Sequence, residues 1–376
     1  MKVFHIVSNK EWGGGEQYVY DLAQRQMADG YRVELFCRPA EAVMSKFLEL
    51  QLPVHPLSLK GALDVASAWK MAILLKSAGP CIVHAHNFKD AFTAAYARKM
   101  SGNRSRVHVI MSRHLTRPGK NTRLYRWLYS QLDWLSFDSE IARDEFYSTR
   151  PAMNRDRTGI IRTSIVLPDK VTAAGVRQRY GIADDEVIGM FHGRLDPEKG
   201  LDTLLEAMAL LRGKPLRLVL VGRGSDENTA HLQQKAAESG LLASQATEGQ
   251  TADKVIFAGF QHPVLPFVAN ADFGILASTV REGCPLSPQE YMSQGHPVVV
   301  TNNGGQREYV VDGRNGLLVP PGDASRLAEA MGRLTDDAGL RSRLGQQAKE
   351  DFLNQLSYDH LYSQVRALYA TLNNKG

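Results

Sequence analysis

Residues 186–213 read EVIGMFHGRLDPEKGLDTLLEAMALLRG and predict a strand, a loop and a helix, in that order. The first apolar run is typical of a strand that is buried on both faces. The later segment, DTLLEAMALLRG, carries apolar residues at helical spacing. A buried strand followed directly by an amphipathic helix predicts a parallel sheet that is covered by helices.

The same alternation occurs on both sides of a break at residues 163–186. The strand-like runs are KVFHIVS, RVELFCR, CIVHAH, RVHVIMS and WLSFDS before the break, and EVIGMFHGRL, RLVLVGRGS, KVIFAGF, DFGILAS and HPVVVTNN after it. We therefore predict an α/β protein with two Rossmann-like, doubly wound domains, 1–165 and 166–356, that face each other across a cleft. A final helix at about 357–376 is expected to pack back on the first domain.

The bulk composition agrees with two folded domains. The chain has 376 residues and is 43% hydrophobic, which is too long for one core of ordinary size. Three scattered cysteines without a CxxC pair indicate a reducing compartment, with neither a disulfide framework nor a zinc site. The N-terminus does not resemble a signal peptide, and no apolar run approaches the length of a spanning helix. These features predict a cytoplasmic protein.

The net charge of +5 is distributed unevenly along the chain. Residues 1–165 hold 24 Lys/Arg and 15 Asp/Glu, whereas residues 166–376 hold 21 and 25. No acidic residue occurs between Ala91 and Leu132, although this stretch carries nine basic residues. Two interpretations stay open: a solvated basic face, or a surface for an anionic partner such as lipid head groups, a phosphorylated glycan or nucleic acid.

Two glycine-containing loops follow predicted strands and could bind phosphate. WGGGEQ offers backbone N–H groups at a helix N-terminus, although a flexible turn would have the same sequence. HGRLDPEKG places Arg194 and Lys199 on one loop, and two cations suit a diphosphate. The alternative for the second loop is an exposed turn in which Lys199 pairs with a neighbouring acid.

A third loop, REGCPLSPQE at residues 281–290, carries two glutamates eight positions apart. Ser287, Pro288 and Glu290 have the form of a capping box, which explains Glu290 without a ligand. A capping box does not explain Glu282, Gly283 or Pro285. Two carboxylates that accept from sugar hydroxyls, on either side of a helix N-terminus that favours phosphate, would suit a nucleotide-sugar.

Two other motifs point less clearly to a ligand. LVLVGRGS contains Gly222 and Gly224 but lacks the third glycine and the acidic residue of a dinucleotide fold. His84 and His86 lie on one face of a strand, but no third ligand is near them in sequence, so packing at the strand end is favoured over a metal site.

Taken in order, GGGE, GRLDPEKG, VGRG, E-x7-E and GG-x-x-E resemble family-4 retaining glycosyltransferases of the GT-B fold, of the bacterial lipopolysaccharide and cell-surface glycan type. The resemblance covers about residues 3–345. The combination of E-x7-E with the Arg/Lys loop is its most specific part.

The resemblance implies a role for each matching residue. Glu290 would hold the ribose hydroxyls of the nucleotide, and Glu282 would contact the transferred sugar. Arg194 and Lys199 would bind the diphosphate, and His114 would point at the donor sugar, unless it is a solvated histidine in a basic loop. The remaining implied donor contacts are Gly14, Gly15, Gly222, Gly283, Cys284, Pro285 and Leu286.

The sequence departs from the family pattern after the first glutamate, where Gly283-Cys284-Pro285-Leu286 replaces a run that is roughly Gly-Phe-Gly-Leu. Because Pro285 lacks an N–H, one donor to the sugar or phosphate is missing. The donor sugar is therefore left open, with a UDP-sugar favoured. No Asp-x-Asp loop is present, so a metal-independent reaction without a cofactor is expected.

These observations predict a retaining, metal-independent hexosyltransferase that uses a nucleotide-sugar and a cell-envelope glycan or glycolipid acceptor such as lipopolysaccharide core. The first domain would bind the acceptor, and its basic segment would meet an anionic membrane surface, without nucleic acid. Two alternatives remain. One is a nucleotide-sugar 2-epimerase or hydrolase of the same fold, and the other is a non-catalytic polyanion-binding protein.

Overall fold

The computed structural model describes residues 1–242 and 253–374, so the last two residues of the predicted C-terminal helix lie outside the described part of the chain. The chain divides into two compact units. The first comprises Met1–Thr163 and Tyr358–Gly376, and the second comprises Ser164–Ser357. Each unit has its own parallel sheet and its own buried cores, as expected for a doubly wound α/β domain.

The first unit contains a seven-stranded parallel sheet in the order β3-β2-β1-β4-β5-β6-β7. Its strands are β1 (Lys2–Val7), β2 (Arg32–Cys37), β3 (Val54–Pro56), β4 (Cys81–Ala85), β5 (Val107–Arg113), β6 (Trp134–Phe137) and β7 (Thr158–Ile160). Its helices are α1 (Gly14–Ala28), α2 (Glu41–Glu49), α3 (Val65–Ser77), α4 (Phe88–Ser101), α5 (Arg123–Gln131) and α6 (Glu140–Tyr147).

The second unit contains a six-stranded parallel sheet in the order β10-β9-β8-β11-β12-β13. Its strands are β8 (Val187–His192), β9 (Leu216–Val221), β10 (Val255–Gly259), β11 (Phe273–Leu276), β12 (Val298–Thr301) and β13 (Gly316–Val319). Its helices are α7 (Val176–Arg179), α8 (Leu201–Leu210), α9 (Asp226–Glu238), α10 (Leu265–Val268), α11 (Leu286–Ser293), α12 (Ala324–Asp336) and α13 (Ala338–Asp351).

Local sequence explains why these helices begin where they do. Asp64, Asn87 and Ser139 are the N-cap residues of α3, α4 and α6, and each side chain accepts a hydrogen bond from a backbone N–H of the first turn. Ser225 and Asp323 cap α9 and α12 in the same way. The strands between these helices are almost wholly buried, since helices cover both faces of a parallel sheet.

The last helix, α14 (Tyr358–Asn373), belongs to the first unit. Its buried face packs in one core with β1, β2 and α1. The phenol of Tyr369 lies 2.8 Å from Nδ1 of His84 on β4 and accepts from the Gln26 amide. The chain therefore returns to the first unit after the second sheet is complete.

The two sheets share one topological feature that positions loops. The direction of winding reverses between β1 and β4 in the first sheet, and between β8 and β11 in the second. At such a reversal the loops leaving the carboxyl ends of the two neighbouring strands diverge, which opens a crevice where α/β proteins bind ligands. The residues of interest in the second unit follow β8 and β11.

The structure confirms the predicted pair of doubly wound α/β domains. The strands that the sequence did not reveal are β3, β7 and β13, each of three or four residues. They are short and lie at or next to a sheet edge, so their hydrophobic pattern is too brief to be distinguished from a loop. Among the described residues, no helix combines the length and the apolar character needed to cross a bilayer.

Candidate active site

The reversal between β8 and β11 brings two of the predicted site residues together. Nζ of Lys199, on the loop after β8, lies 2.5 Å from Oε1 of Glu282, on the loop after β11. The Ser278 hydroxyl donates to the same carboxylate oxygen at 2.5 Å. Both charged side chains are about four-fifths buried, at 18% exposure each, so solvent screens their attraction only in part. The Glu282 carboxylate and the Lys199 ammonium therefore lie in contact in the crevice between the loops that follow β8 and β11.

Backbone contacts hold these two loops against each other. The Thr279 N–H donates to the Glu198 carbonyl at 3.0 Å, and its hydroxyl donates to the same oxygen at 3.2 Å. Gly200 has φ +68°, and a Cβ at this position would stand 2.0 Å from the Ala277 carbonyl oxygen. Only glycine permits this approach, because it tolerates the left-handed conformation and has no side chain. The position of Lys199 is therefore fixed by the residue after it.

Glu290 lies in the first turns of α11 and is held by the end of β8. Its Oε2 accepts from Nε2 of His192, whose Nδ1 is 2.9 Å from the Tyr291 hydroxyl. Burial, and then the neighbouring Glu290 carboxylate, raise the pKa of the Tyr291 phenol well above its usual value. A phenol that stays protonated can donate to Nδ1, and the Nε2–H of His192 then donates to Glu290. This series of hydrogen bonds, from Tyr291 through His192, orients one oxygen of Glu290.

The structure removes the capping-box interpretation of Glu290. Helix α11 begins at Leu286, its N-cap is Pro285, and no side chain caps it. Ser287 is therefore inside the helix rather than at its N-cap. The Glu290 carboxylate pairs with His192, at the end of strand β8, and does not reach back to a helix terminus. The capping prediction is wrong because helix α11 starts earlier than the local sequence suggested.

Arg194 is not brought to the other charged residues. Its guanidinium pairs with Asp196, two residues along the same loop, and its side chain is 72% exposed. An exposed ion pair of this kind contributes little to stability. The two cations predicted to act together therefore have different surroundings. Lys199 contacts the carboxylate of Glu282, whereas Arg194 extends into solvent.

The remaining predicted contacts of the second unit have packing partners. A Cβ on Gly222, where φ is +146°, would lie 1.8 Å from the Gly193 carbonyl oxygen, so Gly222 lets the ends of β8 and β9 touch. The Gln289 amide donates to Cys284 Sγ at 3.2 Å, and the Tyr309 hydroxyl donates to the Pro285 carbonyl at 2.9 Å. Gly283 is partly exposed, and Leu286 opens α11. These contacts tie Cys284 and Pro285 to Gln289 and Tyr309.

The predicted residues of the first unit follow β1 and β5. Gly14 and Gly15 form the first turn of α1, and a Cβ on either would meet nothing within 4 Å. His114 follows β5, and its ring packs edge-to-face on Tyr18 with 4.8 Å between centroids. Both ring nitrogens of His114 are buried, and neither has a hydrogen-bond partner among the described residues. Burial lowers the pKa of His114 to about 4, so the ring is neutral at pH 7.

A histidine cluster that the sequence did not predict lies beside His114. His5 on β1 joins His84 and His86, and ring nitrogens of the three lie within 4.8 Å of one another. His5 Nδ1 is 3.0 Å from His86 Nε2, and His5 Nε2 is 2.8 Å from the Gln26 amide oxygen. His84 contacts the hydroxyls of Tyr369 and Ser112, each at 2.8 Å. These three side chains could hold a metal ion, although most of their nitrogens already have partners within the network.

Several residues of the site were missed by sequence reasoning. His192 and Ser278 touch the two glutamates, and His5 completes the histidine cluster. His192 and Ser278 each lie at or just after the carboxyl end of a predicted strand, which is a usable signal in an α/β protein. Their partners could not be identified, because the sequence does not give the order of strands in the sheet.

Comparison with known proteins agrees with this geometry. The family model "Glycosyltransferase Family 4" matches residues 12–167, and "Glycosyl transferases group 1" matches residues 175–351. The putative glycosyltransferase EpsD of Bacillus subtilis is 29% identical over 72% of this chain and 72% of its own length. The lipopolysaccharide core biosynthesis glycosyltransferase LpsE of Rhizobium meliloti is 32% identical over 52% of this chain and 53% of its own length.

Solved structures show the same fold. HepE of Anabaena in complex with UDP superposes with a TM-score of 0.83, covering 99% of this chain and 100% of that chain at 19% identity. The same protein in complex with UDP-glucose gives a TM-score of 0.78. At this level of identity the likeness concerns the fold.

Proposed function

The chain belongs to the family-4 glycosyltransferases with the GT-B fold, and we propose that it moves a hexose-type sugar, with retention of configuration, from a nucleotide-sugar to a cell-envelope glycan or glycolipid. The observation that carries this proposal is the constellation at β8 and β11. Two carboxylates eight residues apart, Glu282 and Glu290, are each held by a basic side chain, Lys199 or His192, at the carboxyl edge of one sheet. The relative LpsE, a lipopolysaccharide core glycosyltransferase, supports the class of acceptor.

In this proposal each group has a chemical task. Glu290, oriented by His192, accepts from the ribose hydroxyls, and Glu282 accepts from hydroxyls of the transferred sugar. Lys199 turns from Glu282 to the diphosphate, and Arg194 exchanges Asp196 for a phosphate oxygen. As the bond to the anomeric carbon breaks, negative charge grows on the leaving diphosphate. The two cations and the N-terminus of α11 stabilise that charge without a metal ion.

His114 is proposed to contact the donor sugar. Its two buried nitrogens have no partner, and buried polar atoms are nearly always hydrogen-bonded. A sugar hydroxyl would satisfy either nitrogen. Because the imidazole is neutral at pH 7, it can donate through one nitrogen and accept through the other.

UDP is proposed as the nucleotide, with support from the UDP and UDP-glucose complexes of HepE. A thermal-shift panel of UDP-, GDP- and ADP-sugars tests this. UDP-sugars should raise the melting temperature, and a larger shift with another nucleotide would reject UDP. Added chelator should leave the turnover rate unchanged, and the product anomer, assigned by NMR, should keep the configuration of the donor.

Incubation with donor alone separates transfer from the related reactions. A transferase releases nucleoside diphosphate at a rate that depends on acceptor. Rapid release of free sugar, or formation of an epimer, in the absence of acceptor would favour a hydrolase or 2-epimerase of the same fold.

We also propose that the first unit docks on an anionic membrane surface, through an apolar face of α3. Val65, Trp69 and Ile73 follow at intervals of four residues, so they share one helix face, and all three are exposed, Trp69 by 60%. Leu63, just before the helix, is exposed as well. Large apolar side chains that are exposed together on one helix face are typical of a surface that meets a partner.

The charge around this face favours anionic lipid over a protein partner. Between residues 63 and 132 the chain carries twelve Lys or Arg residues, of which Arg98 and Arg113 are buried, and two acids: Asp64, the N-cap of α3, and Asp90, which is fully buried. Helices α3 and α4 pack together, and Asn103, after α4, donates to the Leu75 and Lys76 carbonyls at the end of α3. An apolar helix face with Trp, next to a basic surface, is the pattern of interfacial helices.

Flotation with vesicles that contain or lack anionic lipid tests this surface. Trp69→Glu should abolish salt-sensitive flotation with anionic vesicles, whereas Leu210→Glu, at an exposed leucine of the second unit, should not. Equal flotation of both variants, or self-association of the wild type through α3, would reject the membrane as the partner of this face.

A further inference from the structure

An open pocket of about 420 Å³ lies at the carboxyl ends of β1, β2 and β3 in the first unit. Its lining residues are Lys10, Arg38, Pro39, Ala40, Ser58 and Lys60. Lys10 follows β1, Arg38 follows β2 and Lys60 follows β3, so each of three neighbouring strands delivers one cation. This edge of a parallel sheet is the one at which α/β proteins bind ligands.

The three cations are available to a ligand. None of them forms an ion pair with another residue in the described part of the chain, whereas Lys2, Arg25 and Lys46 of the same unit each pair with a carboxylate. Arg38 is half-buried, and Lys10 and Lys60 are exposed at the rim. Three positive side chains around one concave surface repel each other and favour a bound anion that brings them together.

Contacts within the first unit order the loop that carries Ser58 and Lys60 before a ligand binds. Leu59, between them, has φ +43° although it is not glycine, and its side chain is buried. Asp64 accepts from the Ser58 hydroxyl at 2.7 Å and from the Lys60 N–H at 2.8 Å. Burial opposes ionisation of Asp64, but the hydrogen bonds from Ser67, Lys60 and Ser58 outweigh it and hold its pKa below the usual range. Strained backbone of this kind is typical of binding loops.

Helix α2 adds a second favourable element. Its N-cap residue, Ala40, lines the pocket, and no side chain caps the helix. Of the first-turn N–H groups of α2, that of Val43 donates to the Ala40 carbonyl at 3.1 Å, which leaves those of Glu41 and Ala42 for a ligand. A helix N-terminus also carries partial positive charge. Both features favour an anion rather than a neutral saccharide.

We propose that this pocket binds a phosphate group carried by the acceptor saccharide. The inference rests on the proposed transferase function, because the nucleotide and diphosphate contacts are assigned to the second unit and, in the first unit, only His114 is assigned to the donor sugar. Arg38 provides a planar fork for two phosphate oxygens, and Lys10 and Lys60 add point charges. The acceptor class is then a phosphorylated glycan.

Calorimetric titration of the whole chain, saturated with UDP so that the donor site is filled, tests the pocket. Inorganic phosphate and glucose 6-phosphate should bind, and glucose should not. Arg38→Met and Lys60→Met should each weaken both interactions by roughly tenfold or more, as expected for the loss of a hydrogen bond to a charged group. The affinity should also fall as salt is raised.

Arg32→Met is the matched control, since Arg32 is an exposed arginine at the opposite end of the same strand, β2. It should leave the phosphate affinity unchanged. Equal affinities of wild type and Arg38→Met, or an equal loss in Arg32→Met, would overturn the inference. Binding of inorganic phosphate without glucose 6-phosphate would contradict a saccharide ligand.

A UDP thermal shift on the same variants separates the two proposals. If the wild type responds to UDP but the pocket does not bind phosphate, only the acceptor inference fails. If no UDP-, GDP- or ADP-sugar gives a shift, the proposed function fails, and the titration without nucleotide still measures the pocket through the difference between Arg38→Met and Arg32→Met.

Discussion

Lys199 and Glu282, which are 83 residues apart in the chain, form an ion pair with 2.5 Å between Nζ and Oε1. The pair exists because β8 and β11 are neighbours in the second sheet. Taken separately, the sequence of either loop is compatible with an exposed turn. Together they place a cation that can reach a diphosphate beside a carboxylate that can accept from a sugar hydroxyl.

Lys199→Met should lower kcat by roughly 10²–10³-fold, the usual loss when a preorganised donor to a developing negative charge is removed. Steady-state kinetics with the nucleotide-sugar identified by thermal shift would measure this. Lys214→Met is the matched control, because Lys214 also forms a 2.5 Å ion pair, with Asp336, on the surface of the same unit. Similar losses of kcat in both variants would show that Lys199 acts through stability alone.

Glu290→Gln should remove most of the thermal shift caused by UDP, since the amide no longer accepts from ribose hydroxyls through both oxygens. Ser287→Ala should keep the shift and change the free energy of unfolding by less than about 0.5 kcal/mol, as for a substitution that removes no cap. The contrast follows from the start of α11 at Leu286. A large loss of stability in Ser287→Ala would restore the capping interpretation.

Gly200→Ala should destabilise the second unit by more than about 1–2 kcal/mol, the cost of a left-handed residue that is not glycine. The added methyl group would also meet the Ala277 carbonyl oxygen. Gly213→Ala is the control, because its Cβ would meet nothing within 4 Å and its φ is ordinary. Melting temperatures of the two variants measure the difference, and equal values would contradict the close approach of the two loops.

The first unit should lose stability as the pH falls below about 6.5. Burial lowers the pKa of His5 and of His114 to about 4, and it lowers the pKa of His84 and of His86 well below the usual value. These groups take up protons in the unfolded chain at a pH where the folded chain keeps them neutral, so acid favours unfolding. Each contributes up to about 1.4 kcal/mol per pH unit in this window.

Asp90 acts in the opposite direction in the same range. Burial raises its pKa to about 7, so the folded chain keeps a proton that the unfolded chain releases above about pH 4. One acid offsets only one of the four histidines, and the net effect below pH 6.5 is a loss of stability. Urea unfolding at pH 7.5, 6.5 and 5.5 measures it. His84→Gln should reduce the slope with pH, and His231→Gln, at an exposed histidine, should not.

His114→Ala should lower kcat without a large change in the melting temperature. The ring gives up no hydrogen bond, because neither nitrogen has a partner, and it loses mainly its contact with Tyr18. Turnover and melting temperature measured on the same preparation separate the two effects. Full activity in His114→Ala would place the donor sugar away from this residue.

Local sequence determined the fold class and most of the strands. Runs such as KVFHIVS and EVIGMFHGRL are long, apolar and followed by helical patterns, so their type follows from hydrophobic burial alone. Short strands such as β3, β7 and β13 do not carry enough residues for a period to be recognised. Their pairing depends on the neighbouring strand, which the local sequence does not contain.

The sequence by itself also identified Lys199, Glu282, Glu290 and His114 as chemically interesting residues at the ends of strands. Only the tertiary structure decided their partners: Glu282 for Lys199, His192 for Glu290, Asp196 for Arg194, and none for the nitrogens of His114. The physical reason is that hydrophobic periodicity fixes which segments are strands, whereas side-chain partners depend on strand order. That order is set by long-range packing, and the reversal of winding between β8 and β11 is its consequence.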